Sequence, residues 1–209
     1  MIMVDHVGVI ASGTTLLSPV SIAASRGEAV VVRGRNGTGK STLLRVLAGV
    51  RKPSTGTVRI NGTVVAERDR SFRRLVSTMI GLPPMASDLT VRDHVTLVAT
   101  TWFDDPAVAV DIAESVLEEL GLGELGERFA HELSSGQTQL FGLALMLARP
   151  FEVLILDKPE QRLDPEHIEC VIRVLRSRRD RGATLVVATH SVVLTEALAD
   201  HVLELETAA

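Results

Sequence analysis

Residues 34–41 read GRNGTGKS. Gly34, Gly39, Lys40 and Ser41 stand at the spacing of a phosphate-binding loop. The stretch before them, Ala29–Arg33, is a β-branched apolar run that reads as a buried parallel strand. The stretch after them, 42–48, reads as a helix closed by Gly49. Strand, glycine-rich loop and helix in that order form the setting this motif requires. The glycines let successive backbone N–H groups turn inward around phosphate oxygens, and the helix start adds a positive dipole end. Lys40 is expected to reach terminal phosphates, and the Ser41 hydroxyl to take a place on Mg²⁺.

The same pattern recurs downstream. Residues 153–157 read VLILD, an apolar strand ending in a carboxylate. Asp157 is therefore a candidate for holding Mg²⁺ directly or through water. Residues 184–188 form another apolar strand, and His190 follows it. Ligands of open α/β sheets bind beyond the carboxyl ends of the strands, where Gly34, Asp157 and His190 all stand. Upstream, residues 7–11 and 16–23 read as strands turned by Ser12, Gly13 and Thr14. Residues 57–60 and 63–66 read as a hairpin turned by Asn61-Gly62, and 75–80 as one more strand, broken by Gly81, Pro83 and Pro84. Helices are expected from Val91, capped by Thr90 with Asp93, and over 111–120, 137–148, 165–179 and 191–199, with a last strand over 202–205. The fold class expected is α/β: a P-loop NTPase with a mainly parallel sheet, flanking helices, an N-terminal antiparallel β portion and a small inserted helical subdomain. Residues 1–209 are read as one domain, with the helical insert at about 82–135.

Composition narrows the function. Hydrophobic residues make up 45% of 209, enough for a sizeable core. Five Phe, one Trp and no Tyr leave no stacking platform for nucleic acid, and a net charge of −4 lacks the electrostatic footprint of such a partner. The basic run Arg68, Arg70, Arg73 and Arg74 reads as a solvated helix face. Cys170 is the single cysteine and reads as a buried small hydrophobe. No apolar run reaches bilayer length, and the N-terminus lacks a basic flank, so a cytoplasmic protein is expected.

Five motifs in order, GRNGTGKST at 34–42, LSSGQ at 133–137, VLILD at 153–157, RLD at 162–164 and ATH at 188–190, make the chain resemble the nucleotide-binding subunits of ATP-binding cassette transporters over nearly its whole length. The resemblance implies ATP and Mg²⁺ as ligands. ATP would lie on Gly34, Arg35, Asn36, Gly37, Thr38, Gly39, Lys40, Ser41 and Thr42, with the metal on Ser41 and Asp157. It also implies two such domains packed head to tail, so that Ser134, Ser135, Gly136 and Gln137 would serve the partner's nucleotide. Asp164 would lie in the loop by which the two sites sense each other, and His190 would contact the γ-phosphate. A separate transmembrane permease would hold the chain on the cytoplasmic face of the membrane.

The chain departs from the family pattern at several places. Lys158 stands where a glutamate polarises the attacking water. A protonated lysine cannot accept that proton, and general-base catalysis contributes about 10²–10⁴-fold. Lys158 is therefore expected to slow hydrolysis, or else to turn away toward Asp157, Glu160 or Asp164. No glutamine occurs from 43 to 136, its expected place being near Gly81; Ile10 and Ala11 replace an aromatic residue; Gln139 replaces an arginine. These features imply a homodimer or a heterodimer with a catalytically intact partner. The expected function is ATP binding coupled to transport. The alternatives are a non-transport ATPase of the same family and a nonhydrolytic ATP-sensing subunit. Met85, Trp102 and Phe103 read equally as a coupling groove or as local core.

Overall fold

In the computed structural model, β1 (Ile2–Ala11) and β2 (Thr14–Ala24) form an antiparallel ribbon in which Ala11 pairs with Thr14. Ser12 and Gly13 make its two-residue turn at φ 49° and 78°. Positive φ at both positions matches the right-handed twist of the flanking strands. β3 (Ala29–Gly34) is buried along Ala29–Val32, as an interior parallel strand must be. It feeds through the glycine-rich loop into α1 (Lys40–Leu47). β4 (Thr55–Ile60) and β5 (Thr63–Val64) turn at Asn61 and Gly62, at φ 50° and 76°. α2 (Arg70–Leu75) is capped by the Asp69 carboxylate, buries Phe72 and leaves Arg70, Arg73 and Arg74 exposed. β6 (Val76–Met79) follows directly.

The helical stretch holds α3 (Val91–Thr100), α4 (Pro106–Glu119) and α5 (Ser135–Leu147). β7 (Val153–Asp157), α6 (Pro165–Asp180), β8 (Thr184–Ala188), α7 (Val192–Leu198) and β9 (His201–Leu205) complete the chain. The structure describes residues 1–66 and 68–206; Glu67 and the end of the expected 1–209 domain, positions 207–209, lie outside the described residues.

The chain divides into two units. The first comprises Met1–Ile80, Phe151–Lys158 and Leu175–Ala209. It contains an antiparallel sheet in the order β2-β1-β4-β5 and a parallel sheet in the order β6-β7-β8-β3-β9. α1 packs against β2 and against β3, β7 and β8, so it lies between the two sheets. Its Leu43, Leu44, Val46 and Leu47 join Val7, Leu17, Val32, Ile60 and Ile155 in one apolar core. The phosphate-loop strand β3 sits inside the parallel sheet, paired with β8 and β9. The α/β P-loop fold with its antiparallel N-terminal portion is thus the observed one.

The second unit comprises Gly81–Pro150 and Pro159–Val174. α3, α4 and α5 pack on one another in it. Thr90 and Asp93 form a reciprocal capping box at the start of α3. His94 is buried beneath it: Nδ1 lies 2.7 Å from the Thr90 carbonyl oxygen, Nε2 accepts the Ala86 N–H at 2.9 Å, and the ring meets Phe141 edge-on. The Nε2 contact requires an acceptor there, which fixes the ring proton on Nδ1. Trp102 is half-buried with the Arg149 guanidinium 4.3 Å above its ring. Cys170 is half-buried rather than buried, its thiol donating to the Glu119 carbonyl, and burial pushes its pKa up. Thr90→Ala is expected to lower the free energy of unfolding by about 1 kcal/mol, read as a lower urea midpoint, because the Thr90 hydroxyl accepts the Asp93 N–H and donates to the Asp93 carboxylate.

α4 begins five residues earlier than the sequence pattern indicated. Asp105 accepts the Ala107 N–H and Pro106 occupies the first helical position. Proline there loses no helical hydrogen bond and presets φ. α1 and α5 likewise begin two residues early, at Lys40 and Ser135. At α4 and α5 a side-chain cap, not the apolar period, sets the boundary.

Candidate functional site

Three strand ends of the first unit converge in register. Asp157 lies beside Ala188, and Val32 beside Ala188 on the other side. The Lys158 N–H donates to the Ala188 carbonyl at 2.7 Å, and the Thr189 N–H to the Val32 carbonyl at 3.2 Å. The ends of β7, β8 and β3 are therefore tied together by backbone bonds, and the residues just beyond each strand are held at one edge of the sheet.

The loop after β3 is shaped by glycine. Gly34, Gly37 and Gly39 sit at φ 135°, 87° and 96°. A Cβ on Gly34 would collide with the Leu205 carbonyl oxygen, and one on Gly39 would lie 2.5 Å from the Leu16 carbonyl oxygen. Only glycine adopts this path without strain. Gly39 is also the N-cap of α1 and contributes no side-chain cap, so the first amides of the helix are not taken up by a capping side chain. Arg35, Asn36 and Gly37 are exposed; Thr38 is buried, its hydroxyl donating to the Arg35 carbonyl at 2.9 Å.

Lys40 is 6% exposed, and its ammonium donates to the Gly34 and Arg35 carbonyls at 2.6 and 2.8 Å. Burial first, then repulsion from the Lys158 ammonium, holds Lys40 below its ordinary pKa, while Asp157 and Glu204 oppose the shift. Ser41 Oγ donates to Asp157 Oδ2 at 2.5 Å. Asp157 Oδ1 is buried and has no hydrogen-bond partner among the described residues. His190 Nε2 lies 3.2 Å from the Asn36 amide oxygen, which brings that histidine to the loop. Thr42 follows within α1, half-buried.

A hard cation suits this edge. Mg²⁺ is held by one or two protein oxygens together with phosphates and water. The orphan oxygen of Asp157 beside the Ser41 hydroxyl offers that donor pair. Among the described residues there is no group of three His, Cys, Asp or Glu able to hold a metal alone. The site therefore fits a metal that arrives with phosphate oxygens.

The remaining sequence-derived candidates lie in the second unit. Ser134 caps α5: its hydroxyl accepts the Gln137 N–H at 3.2 Å, and Gln137 Oε1 accepts the Ser134 N–H at 2.9 Å. Ser135 is exposed on the first turn. A Cβ on Gly136 would lie 3.0 Å from the Arg162 carbonyl oxygen, so the 134–137 turn and the 162–164 segment approach closely. Asp164 caps α6, accepting the His167 N–H at 2.9 Å. That bond, followed by the His167 ring, holds its carboxyl below 3.8. Because the native pKa is depressed, the stabilisation is present at pH values above the ordinary aspartate range and is lost as pH falls through the native value. An acid titration of carboxyl chemical shifts is expected to place the Asp164 midpoint below 3.8; a midpoint at or above it contradicts the cap.

Two departures from the pattern have local causes. Gly81 has φ 82°, a conformation that a glutamine would adopt only with strain. Gln139, in the arginine's place, is buried and donates to the Pro159 carbonyl at 3.3 Å. Ile10 is exposed on β1. Lys158 itself has φ 52°, a left-handed residue whose sequence carries no glycine or asparagine to announce it.

The sequence profile of ABC transporters matches residues 17–161. Among curated proteins, the chain is 32% identical over 198 residues to a methionine import ATP-binding protein of Paraburkholderia xenovorans, covering 92% of this chain and 51% of that one. It is 31% identical over 191 residues to a glutamate transport ATP-binding protein of Corynebacterium glutamicum, covering 90% and 79%. Thus the chain spans about half the length of the methionine importer protein it matches. Among solved structures, an ATP-binding subunit of an ABC transporter superimposes with a TM-score of 0.87 at 26% identity, covering 98% of this chain and 85% of the other.

Proposed function

The chain belongs to the ABC transporter family, and from that premise we propose that it is an ATP-binding subunit that couples nucleotide binding to transport by a separate membrane permease. The observation that carries the reading is the edge of the parallel sheet. There the glycine-bound loop 34–39, the Lys40 ammonium, the Ser41–Asp157 pair and His190 lie together in one unit. Each group has work that suits a nucleoside triphosphate. The loop amides and the α1 start receive phosphate oxygens, Lys40 supplies charge at the terminal phosphates, and Ser41 with Asp157 holds Mg²⁺. When bound at Ser41 and Asp157, Mg²⁺ would supply positive charge to offset that of the phosphates. His190 stands beside Asn36 where it can donate to a γ-phosphate oxygen.

Two units of this chain would serve one nucleotide-binding domain. Ser134, Ser135, Gly136 and Gln137, with Asp164 nearby, would face the nucleotide of a second such domain. That second domain is either another copy or a partner that keeps its catalytic carboxylate. No helix of the described residues is long and apolar enough to cross a membrane.

Lys158 favours a subunit that holds ATP better than it cleaves it. The residue after the Asp157 strand is a cation that repels Lys40, and it has no means of taking a proton from water. In a heterodimer the intact partner would supply the working base.

Calorimetric titration with Mg-ATP tests the core reading. Saturable one-to-one binding that is lost when the phosphate loop is altered supports it; no binding by the folded protein overturns it. Purification from solubilised membranes tests the coupling. A polytopic membrane protein recovered in stoichiometric amount is expected, and recovery of the chain with ribosomes or DNA instead would favour a non-transport ATPase.

A further inference from the structure

We propose that the cavity between the end of α1 and the β4–β5 hairpin is a binding site for a small organic anion, a carboxylate head on an aliphatic body. The inference goes beyond the nucleotide site and does not depend on it.

The cavity lies within the first unit and encloses about 730 Å³. Small-molecule sites occupy roughly 300–1,000 Å³. Two segments wall it. One is the stretch that leaves α1, where Gly49 at φ 73° turns the chain and residues 50–53 carry it toward β4. The Ser54 N–H then donates to the Gly8 carbonyl at 2.8 Å, which anchors this wall on β1. The other wall is β4 with the chain that follows β5, where the Val65 N–H donates to the Val58 carbonyl at 3.4 Å.

The lining divides by chemistry. Val50, Pro53, Val58, Val64 and Val65 give it apolar surface. Val58 is buried, whereas Val50 and Val64 are 55% and 53% exposed. Two valines left open beside one cavity are surface that an apolar body would remove from water. Arg51, Lys52 and Arg68 supply charge, and no described lining residue is acidic. None of the three forms an ion pair among the described residues. Asp69, next to Arg68, does not line the cavity; its carboxylate accepts the Ser71 N–H at 2.8 Å and the Ser71 hydroxyl at 2.7 Å. The end of α1 brings a weak negative pole, but its carbonyls at Leu44, Arg45 and Val46 already accept the N–H groups of Ala48, Arg51 and Gly49. Three full cations therefore set the sign of the cavity. Guanidinium forks match a carboxylate, and such charge-assisted bonds are the strong kind. A bare anion would leave the valines in water, and a neutral apolar body would leave the cations unused. A ligand with both parts satisfies both halves of the lining.

The test is nuclear magnetic resonance of the valine methyl groups in the whole chain, titrated with octanoate, octanamide and acetate. Octanamide keeps the body without the charge, and acetate keeps the charge without the body. Octanoate is expected to shift the Val58, Val64 and Val65 methyls saturably, with a Kd below about 1 mM. Octanamide and acetate are expected to bind at least about fivefold more weakly. Arg51→Gln combined with Lys52→Gln, and separately Arg68→Gln, are expected to weaken octanoate about threefold to tenfold, a modest loss because these side chains keep contact with solvent, and to leave octanamide unchanged. Thermal melts establish that each variant is folded. Sedimentation with phosphatidylglycerol vesicles separates the two sources of such an anion. Co-sedimentation that the same variants abolish assigns the site to a lipid; a chain left in the supernatant, or sedimented equally by the variants, assigns it to a free acid. The inference is overturned if octanoate leaves those methyls unmoved, if octanamide binds as tightly as octanoate, or if the folded variants bind octanoate like the wild type. The valines report the cavity with or without nucleotide, so these outcomes leave the proposed function standing, and failure of the Mg-ATP titration leaves this inference standing.

Discussion

Lys158→Glu is expected to raise the rate of ATP hydrolysis by about 10²–10⁴-fold, the range general-base catalysis supplies. Asp157 and Ser41 are already paired at the sheet edge, and His190 is already at the loop. The residue that follows Asp157 is a lysine, whose ammonium cannot accept a proton from water. A glutamate at 158 would follow the same strand and be held by the same N–H bond to Ala188. It would also remove the repulsion that Lys158 exerts on Lys40, leaving burial as the influence that lowers that lysine's pKa. Phosphate release at saturating Mg-ATP, where affinity no longer matters, is the measurement. Unchanged turnover would mean that hydrolysis is limited elsewhere, for example by the glycine at 81. A native turnover above about 1 s⁻¹, in the usual enzyme range, would refute the idea that Lys158 impairs the site.

The second large effect concerns Lys40. Lys40→Met is expected to weaken ATP binding about tenfold to a hundredfold, since charge-assisted bonds are worth about 1.5–3 kcal/mol each. The side chain is buried and holds two loop carbonyls, so the variant also removes a brace from the loop. Methionine retains most of the packing volume at that position, which confines the loss to charge and hydrogen bonding. Calorimetric titration and a thermal melt together read the result. Equal affinity in the folded variant would show that the backbone amides alone carry the phosphate.

The fold was legible because its deciding segments are short and chemically plain. Ala29–Val32, Val153–Leu156 and Leu185–Ala188 are runs with no polar interruption, and such runs have few places to go except the middle of a parallel sheet. Asn61-Gly62 announced its hairpin by turn chemistry, and Thr90 with Asp93 announced α3 by a reciprocal cap. Boundaries were less visible where a cap lay outside the periodic pattern, as with Asp105-Pro106. At the site, the glycines and Lys40 could be read from spacing alone. The Ser41–Asp157 bond joins residues 116 apart in sequence, and the meeting of His190 with Asn36 depends on β8 lying next to β3. Strand order is a property of the whole sheet, which no local window contains. The left-handed turn at Lys158 was invisible for a different reason: its residue type gives no sign of it, and the bond of its N–H to the Ala188 carbonyl is a tertiary contact.

Gly39 has a mechanical consequence. Its backbone passes so near the Leu16 carbonyl that not even a methyl group fits between them. The ribbon of β1 and β2 therefore bears directly on the junction of loop and helix, through the Leu16 carbonyl and the Leu17 side chain. A side chain at position 39 would have to push that ribbon outward before the cradle could close around it.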